Sequence, residues 1–227
     1  MTVAHYLPCT TFGGQFAEAM EREKIGISAL RVRRREVIYG CADRGKSLYL
    51  VKSGQVKATL TSRDGKECLL GIYASNEFFG ESCLLETSYR ETATAMTDTE
   101  LWRVSTAWMK SALCDPRLRD GFIAHLANRI FSQQMLITDL VTADSEYRLA
   151  AVLLYLGRKL GQRDGNILRI QARITQEELS AMVGTTRSRV GFFLKRFREA
   201  GIIRRNRQCF LALDEDRLKQ YIEAERD

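Results

Sequence analysis

The stretch that decides the fold is ITQEELSAMVGTTRSRVGFFLKRFREAGII, residues 174–203. Thr175 with Glu178 three residues on makes a capping box, opening a helix predicted to end near Val183. Gly184 supplies the permissive backbone for a tight elbow. Thr186 can cap a second helix in which Val190, Phe193, Leu194 and Phe197 fall on one face. That face is predicted to pack inward. The opposite side presents Arg187, Ser188, Arg189, Lys195 and, against the polar pattern, Phe192.

Leu179, Ala181, Met182, Val183 and Gly184 sit where a helix-turn-helix needs its small and apolar elbow residues. Arginines at the start of the second helix can reach guanine edges or phosphates when that helix enters a major groove. IIRRNRQCFLAL, from residue 202, reads as two short strands joined by a basic turn, a wing able to lie on the DNA backbone. A packed helical hairpin with a solvated basic face is the bland alternative. The order of parts (capping box, glycine elbow, basic second helix, basic wing) favours DNA. The candidate contacts are Thr175, Gln176, Thr186, Arg187, Ser188, Arg189, Phe192, Lys195, Arg205 and Arg207.

Charge agrees with this placement. The chain carries +7 overall, and residues 187–207 hold eight basic side chains against one acid, Glu199. Such a cluster attracts polyanions.

Outward from the reader, residues 145–160 are predicted to form an amphipathic helix, GQRDGN a turn and ILRI a short strand. VTADSE precedes them as a hinge. Asp115-Pro116 reads as a helix start. It opens a segment in which Ile123, Leu126, Ile130, Gln133, Ile137 and Leu140 recur at alternating spacings of three and four. That is the stripe one helix shows to a partner helix; packing on the chain's own β domain stays open. Residues 26–106 instead read as β: SLYLV, QVKATL, CLLGIY and ELWRVS lie between regularly placed glycines, and Asp64-Gly65 suits a hairpin turn.

Other chemistries find little support. The six cysteines, Cys9, Cys41, Cys68, Cys83, Cys114 and Cys209, are at least 15 residues apart and have no histidine beside them. That spacing argues against a metal or iron–sulfur site, so no metal ligand is assigned. With no Ser/His/Asp set and no phosphate-loop motif, no catalytic residue is assigned either. No apolar run is long enough for a membrane helix, and the start, MTVAHYLPCTTFGG, lacks an export signal, so a cytoplasmic protein without a membrane partner is expected.

One loop, GESCLLETSYRETATAM at 80–96, carries the elements of an anion site: a Gly-Glu turn, hydroxyls and Arg90. The same letters fit a loop feeding an edge strand.

Residues 175–200 resemble the winged helix-turn-helix of the cyclic AMP receptor protein and fumarate-nitrate reduction regulator (CRP/FNR) family, and the order of parts agrees over about residues 15–213. The resemblance implies an α+β fold: a cyclic-nucleotide-binding-type β-roll (jelly roll) at 15–114, a dimerisation helix at 115–142 and a winged helix-turn-helix at 145–217. It implies a bacterial, homodimeric transcription regulator, paired along Ile123, Leu126, Ile130, Ile137 and Leu140. Its partners would be double-stranded DNA with a pseudo-palindromic site, and RNA polymerase. A redox or gas sensor of the same architecture is the remote alternative.

Family members that read TGTGA-like half-sites carry Arg-Glu at the start of the recognition helix and an arginine one turn on. Arg187 matches the first arginine, Ser188 replaces the acid and Phe192 the later arginine, so a different DNA sequence is expected. Phe192 is left to touch a thymine methyl or to pack against the wing. Within the family's phosphate cassette, Phe79-Gly80-Glu81 matches the ribose-binding half, and the backbone at Ser82 and Cys83 would serve an anion. The phosphate-binding arginine falls on Tyr89, with Arg90 one place later, where a shorter loop could realign it. Glu91 beside it would repel a phosphate. Gln133, with Gln134, would meet a purine edge. Cyclic AMP or cyclic GMP as effector, another ligand, and no ligand all stay open.

Overall fold

The computed structural model describes residues 11–23, 27–65, 67–85, 88–171, 173–206 and 209–224. They divide into two compact units, one ending at Arg129 and the other beginning at Ile130.

The first unit opens with a helix that the sequence reading did not foresee, α1 (Thr11–Glu23). Phe12, Phe16 and Met20, four residues apart, form its buried stripe. The strands follow as β1 (Ile27–Val32), β2 (Val37–Tyr39), β3 (Ser47–Ser53), β4 (Val56–Thr61), β5 (Glu67–Tyr73), β6 (Phe78–Phe79), β7 (Thr92–Ala95) and β8 (Thr99–Ser105). They make two antiparallel sheets, ordered β1-β8-β3-β6 and β2-β7-β4-β5. Leu48, Leu50, Val51, Phe79 and Leu101 are buried in the core of this unit. The Asp64-Gly65 turn joins β4 to β5, with Gly65 at φ 78°. After α2 (Thr106–Ala112) comes the long helix α3 (Pro116–Thr142), whose Leu118 and Phe122 close the aromatic core around Phe12, Phe16 and Phe78.

The second unit contains α4 (Ser145–Leu160), the hairpin β9 (Gly161–Asp164) and β10 (Ile167–Ile170), then α5 (Gln176–Val183) and α6 (Arg187–Glu199). It ends with β11 (Ile203–Asn206), β12 (Cys209–Asp214) and α7 (Glu215–Ala224). Its sheet runs β11-β12-β10-β9, all antiparallel. Leu149, Leu153 and Leu156 of α4 are buried, as are Leu179 and Val183 of α5, Val190 and Phe197 of α6, and Leu218 and Ile222 of α7. The expected architecture is the observed one: a cyclic-nucleotide-binding-type β-sandwich, a long helix and a C-terminal helix-turn-helix. No described helix is long and apolar enough to cross a membrane.

Candidate nucleic-acid interface and effector cassette

The capping box forms as the sequence dictates: the Glu178 amide donates to Thr175 Oγ1 at 3.1 Å, and the Thr175 amide to Glu178 Oε2 at 2.8 Å. Gly184 then adopts the left-handed conformation, φ 69° and ψ 45°, and its amide returns to the Ser180 carbonyl. A Cβ there would be strained, which is why the elbow is glycine. Thr186 caps α6 by accepting from the Arg189 amide at 3.3 Å.

Arg148, which the pattern did not single out, braces this elbow. Its guanidinium donates to the Val183 carbonyl at 2.9 Å and to the Ala143 carbonyl at 2.6 Å. Arg196 reaches Glu146 of α4 at 2.6 Å, so this arginine of α6 serves the fold.

On the outer face of α6, Arg187, Ser188, Arg189, Phe192 and Lys195 are all exposed, with Thr175 and Gln176 exposed at the start of α5. Gln176 lies over α6 at Gly191, where an added Cβ would meet its Oε1 at 3.4 Å. The Lys195 ammonium stands 3.8 Å from Glu199, a weak exposed pair. Of the wing, Arg204 is exposed; the backbone of Arg205 continues β11, and Arg207 lies outside the described residues.

In the β-roll, Gly80 has φ 87° and precedes a 3-10 turn, Glu81–Leu84. The Cys83 amide, an expected anion donor, is engaged by the Gly80 carbonyl at 3.2 Å. Arg90 is exposed, and its carbonyl accepts from the Cys41 thiol. The next side chain turns the other way. Glu91 Oε1 accepts from the hydroxyl of buried Tyr39 at 2.8 Å and from Ser82 Oγ at 3.3 Å. Burial pushes the Tyr39 phenol up, and the Glu91 charge pushes it further. The same two causes raise the Cys83 thiol to about 11.

Glu81 forms an ion pair with Arg129 of α3, and Arg129 Nη2 donates to the Tyr73 hydroxyl at 2.9 Å. Burial raises Tyr73, with Arg129 opposing it. Aromatic rings occupy the space beside these groups: Tyr39 stacks on Tyr89 at 3.7 Å between centroids, and Phe79 on Tyr49 and Tyr73 at 5.3 Å each. Tyr89 anchors its hydroxyl on the Ser47 carbonyl at 2.7 Å.

A cyclic phosphate fits this cassette poorly. Beside Ser82 it would face the Glu91 carboxylate, and the hydrogen bonds that Glu91 accepts among the described residues come from neutral hydroxyls. The guanidinium that does enter the cassette, Arg129, is committed to Glu81 and Tyr73. Sequence reasoning missed Arg129, Tyr39 and Tyr73. A signal existed for the first: Leu118, Phe122, Leu126 and Arg129 recur at helical spacing as a second stripe on α3.

That second stripe takes in one residue of the expected seam, the partly buried Leu126. Leu126 packs against the β-roll core, whereas Ile123, Ile130, Ile137 and Leu140 are exposed. Gln133 and Gln134 are exposed on α3.

A family model described as a cyclic nucleotide-binding domain matches residues 29–113, and one described as a Crp-like helix-turn-helix domain matches 147–221. A CRP-like cAMP-activated global transcriptional regulator of Mycobacterium tuberculosis is 32% identical over 188 residues, covering 82% of this chain and 84% of the relative. The global nitrogen regulator of Synechococcus elongatus is 27% identical, over 79% and 83% of the two chains. Among solved structures, FixK2 from Bradyrhizobium japonicum superposes with a TM-score of 0.73 at 21% identity, covering 86% of this chain and 96% of that one, a likeness of fold. With both domain models in order and a relative of this identity over most of its length, the chain belongs to the CRP/FNR family of transcription regulators, joining a cyclic-nucleotide-binding-type domain to a DNA-binding helix-turn-helix.

Proposed function

We propose that this regulator binds a pseudo-palindromic DNA site as a homodimer, and does so without a cyclic nucleotide. The observation that carries the DNA reading is the exposed face of α6, on which Arg187, Ser188, Arg189, Phe192 and Lys195 surround a capped helix start. Arg187 contacts a base edge, and Arg189, Lys195, Arg204, Arg205 and Arg207 contact phosphates. Thr175, Gln176 and Thr186 border the same face. The exposed isoleucines of α3 support pairing of two copies, which sets two reading heads on half-sites about one helical turn, roughly 34 Å, apart. The regulatory role of the relatives supports RNA polymerase as a further partner.

The inward Glu91 carboxylate and the engaged Cys83 amide support a roll that takes no cyclic AMP or cyclic GMP through Gly80, Glu81, Ser82, Cys83 or Arg90. In this reading Gln133 and Gln134 meet no purine.

The test is selection from a random duplex library by the full chain with no nucleotide added, followed by footprinting. The expected result is an enriched motif of two inverted half-sites centred about one turn apart and different from TGTGA. Enrichment that appears only after cyclic AMP is added would sink the ligand-free reading, and no enrichment under either condition would sink the DNA reading.

A further inference from the structure

We infer that Phe192 is a specificity residue, reading the C5-methyl group of a thymine in each half-site. The inference rests on the DNA-binding reading of α6 and adds a base identity to it. Phe192 is 59% exposed, although Val190, Phe193, Leu194 and Phe197 already complete the buried stripe of the same helix. The fold therefore does not need a large aromatic at this position. The ring is nonetheless held: it meets the Phe193 ring edge-on at 5.8 Å and 64°. A ring steadied in this way gives up little freedom when it is brought against a surface.

Its surroundings choose the occupant. Phe192 stands three residues after Arg189, four after Ser188 and three before Lys195, all exposed. Cations on that face repel a basic partner and draw a polyanion. In the major groove the apolar feature offered by a base pair is the thymine methyl group, and a phenyl ring has no hydrogen bond to give to any other edge. Five residues separate Phe192 from Arg187, a rise of about 7.5 Å along the helix, or roughly two base-pair steps. The thymine lies within about that distance of the base contacted by Arg187.

Uracil, which differs from thymine by the methyl group alone, isolates the contact. Each thymine of the enriched site is replaced in turn by uracil, and affinity is measured with the wild-type protein, Phe192→Ala and Phe192→Leu. The expected result is one sensitive position per half-site, where wild type loses roughly three- to fivefold, about the value of one buried methyl. Phe192→Ala is expected to show no loss there, and Phe192→Leu, still apolar, to retain part of it. An equal loss in wild type and Phe192→Ala, or no sensitive position in a site that wild type does enrich, overturns the inference. If no sequence is enriched at all, the DNA reading falls first and this one with it.

Discussion

The Tyr39 hydroxyl donates to the Glu91 carboxylate at 2.8 Å across the mouth of the β-roll cassette, beside Ser82. A cyclic phosphate bound beside Ser82 would face that carboxylate, whose hydrogen bonds among the described residues come from neutral hydroxyls. Titration of nucleotide-free protein with cyclic AMP or cyclic GMP is therefore expected to give no heat and no rise in Tm, with Arg90→Ala indistinguishable from wild type. Micromolar binding abolished by Arg90→Ala would show that the exposed arginine swings inward and that Glu91 does not decide the site.

Arg129 has a structural task in the same cassette, closing an ion pair with Glu81 while donating to Tyr73. Glu81 is mostly buried, and its Oε2 has no hydrogen-bond partner among the described residues, so removing the guanidinium leaves a charge with little solvation. Arg129→Gln should destabilise the protein by about 2–3 kcal/mol, below the value for a fully buried pair because Arg129 is 30% exposed. Glu81→Gln in the same background should recover part of the loss in denaturant unfolding. Purely additive effects of the two substitutions would deny the pair.

The second unit carries an acid-sensitive knot. Glu215 is buried, which by itself would raise its carboxyl; hydrogen bonds from Lys219, Arg158 and Arg163 more than reverse this and hold it at about 2. Its folded value lies below the ordinary 4.5, so its stabilisation is fully present above pH 4.5 and is lost as pH falls towards 2. The shift corresponds to on the order of 3 kcal/mol. Glu215→Gln should flatten the stability–pH curve of the protein between about pH 5 and 2. An acid limb of unchanged slope would place the responsible carboxylate elsewhere.

The reading head was legible because its determinants are local. The capping box spans three residues, the elbow needs one glycine and the buried stripe of α6 needs one helical period. The cassette was not, because its partners meet only in three dimensions: Tyr39 and Glu91 are 52 residues apart in sequence. A one-residue difference between Arg90 and Glu91 also decides which charge points inward, and loop length is a poor guide to that parity. Helix α1 was hidden for another reason. Phe12, Phe16 and Met20 mark it, but Gly13 and Gly14 lower helix propensity at its start.

Two faces of α3 make opposite predictions. Ile130 and Ile137 are 56% and 61% exposed, while Leu126 packs on the roll. Exposed isoleucines in a row favour association. Ile130→Lys with Ile137→Lys should give a folded monomer by sedimentation, with affinity for the palindromic site lower by on the order of 10²–10⁴. Leu126→Lys should instead lower Tm. A double lysine variant that stays dimeric would move the two-fold axis off this stripe.

The basic residues of α6 divide by what they touch. Arg187 at the capped start of the helix is placed to contact a base edge, and Arg187→Ala should weaken the enriched site by about 1–3 kcal/mol and relax preference at one position per half-site. Arg189 and Lys195 stand on the flanks; Lys195 can leave its 3.8 Å partner Glu199 at little cost to meet a phosphate. Arg189→Ala or Lys195→Ala should weaken specific and random duplexes alike. Each should also reduce the slope of log affinity against log salt, by roughly one for every phosphate that is no longer neutralised. Because a dimer carries each residue twice, the reduction should approach two for a palindromic site, whereas Arg187→Ala should change the slope least. If Arg187→Ala instead weakens random and enriched DNA equally, that arginine holds phosphate, and base selection passes to Ser188 and Phe192.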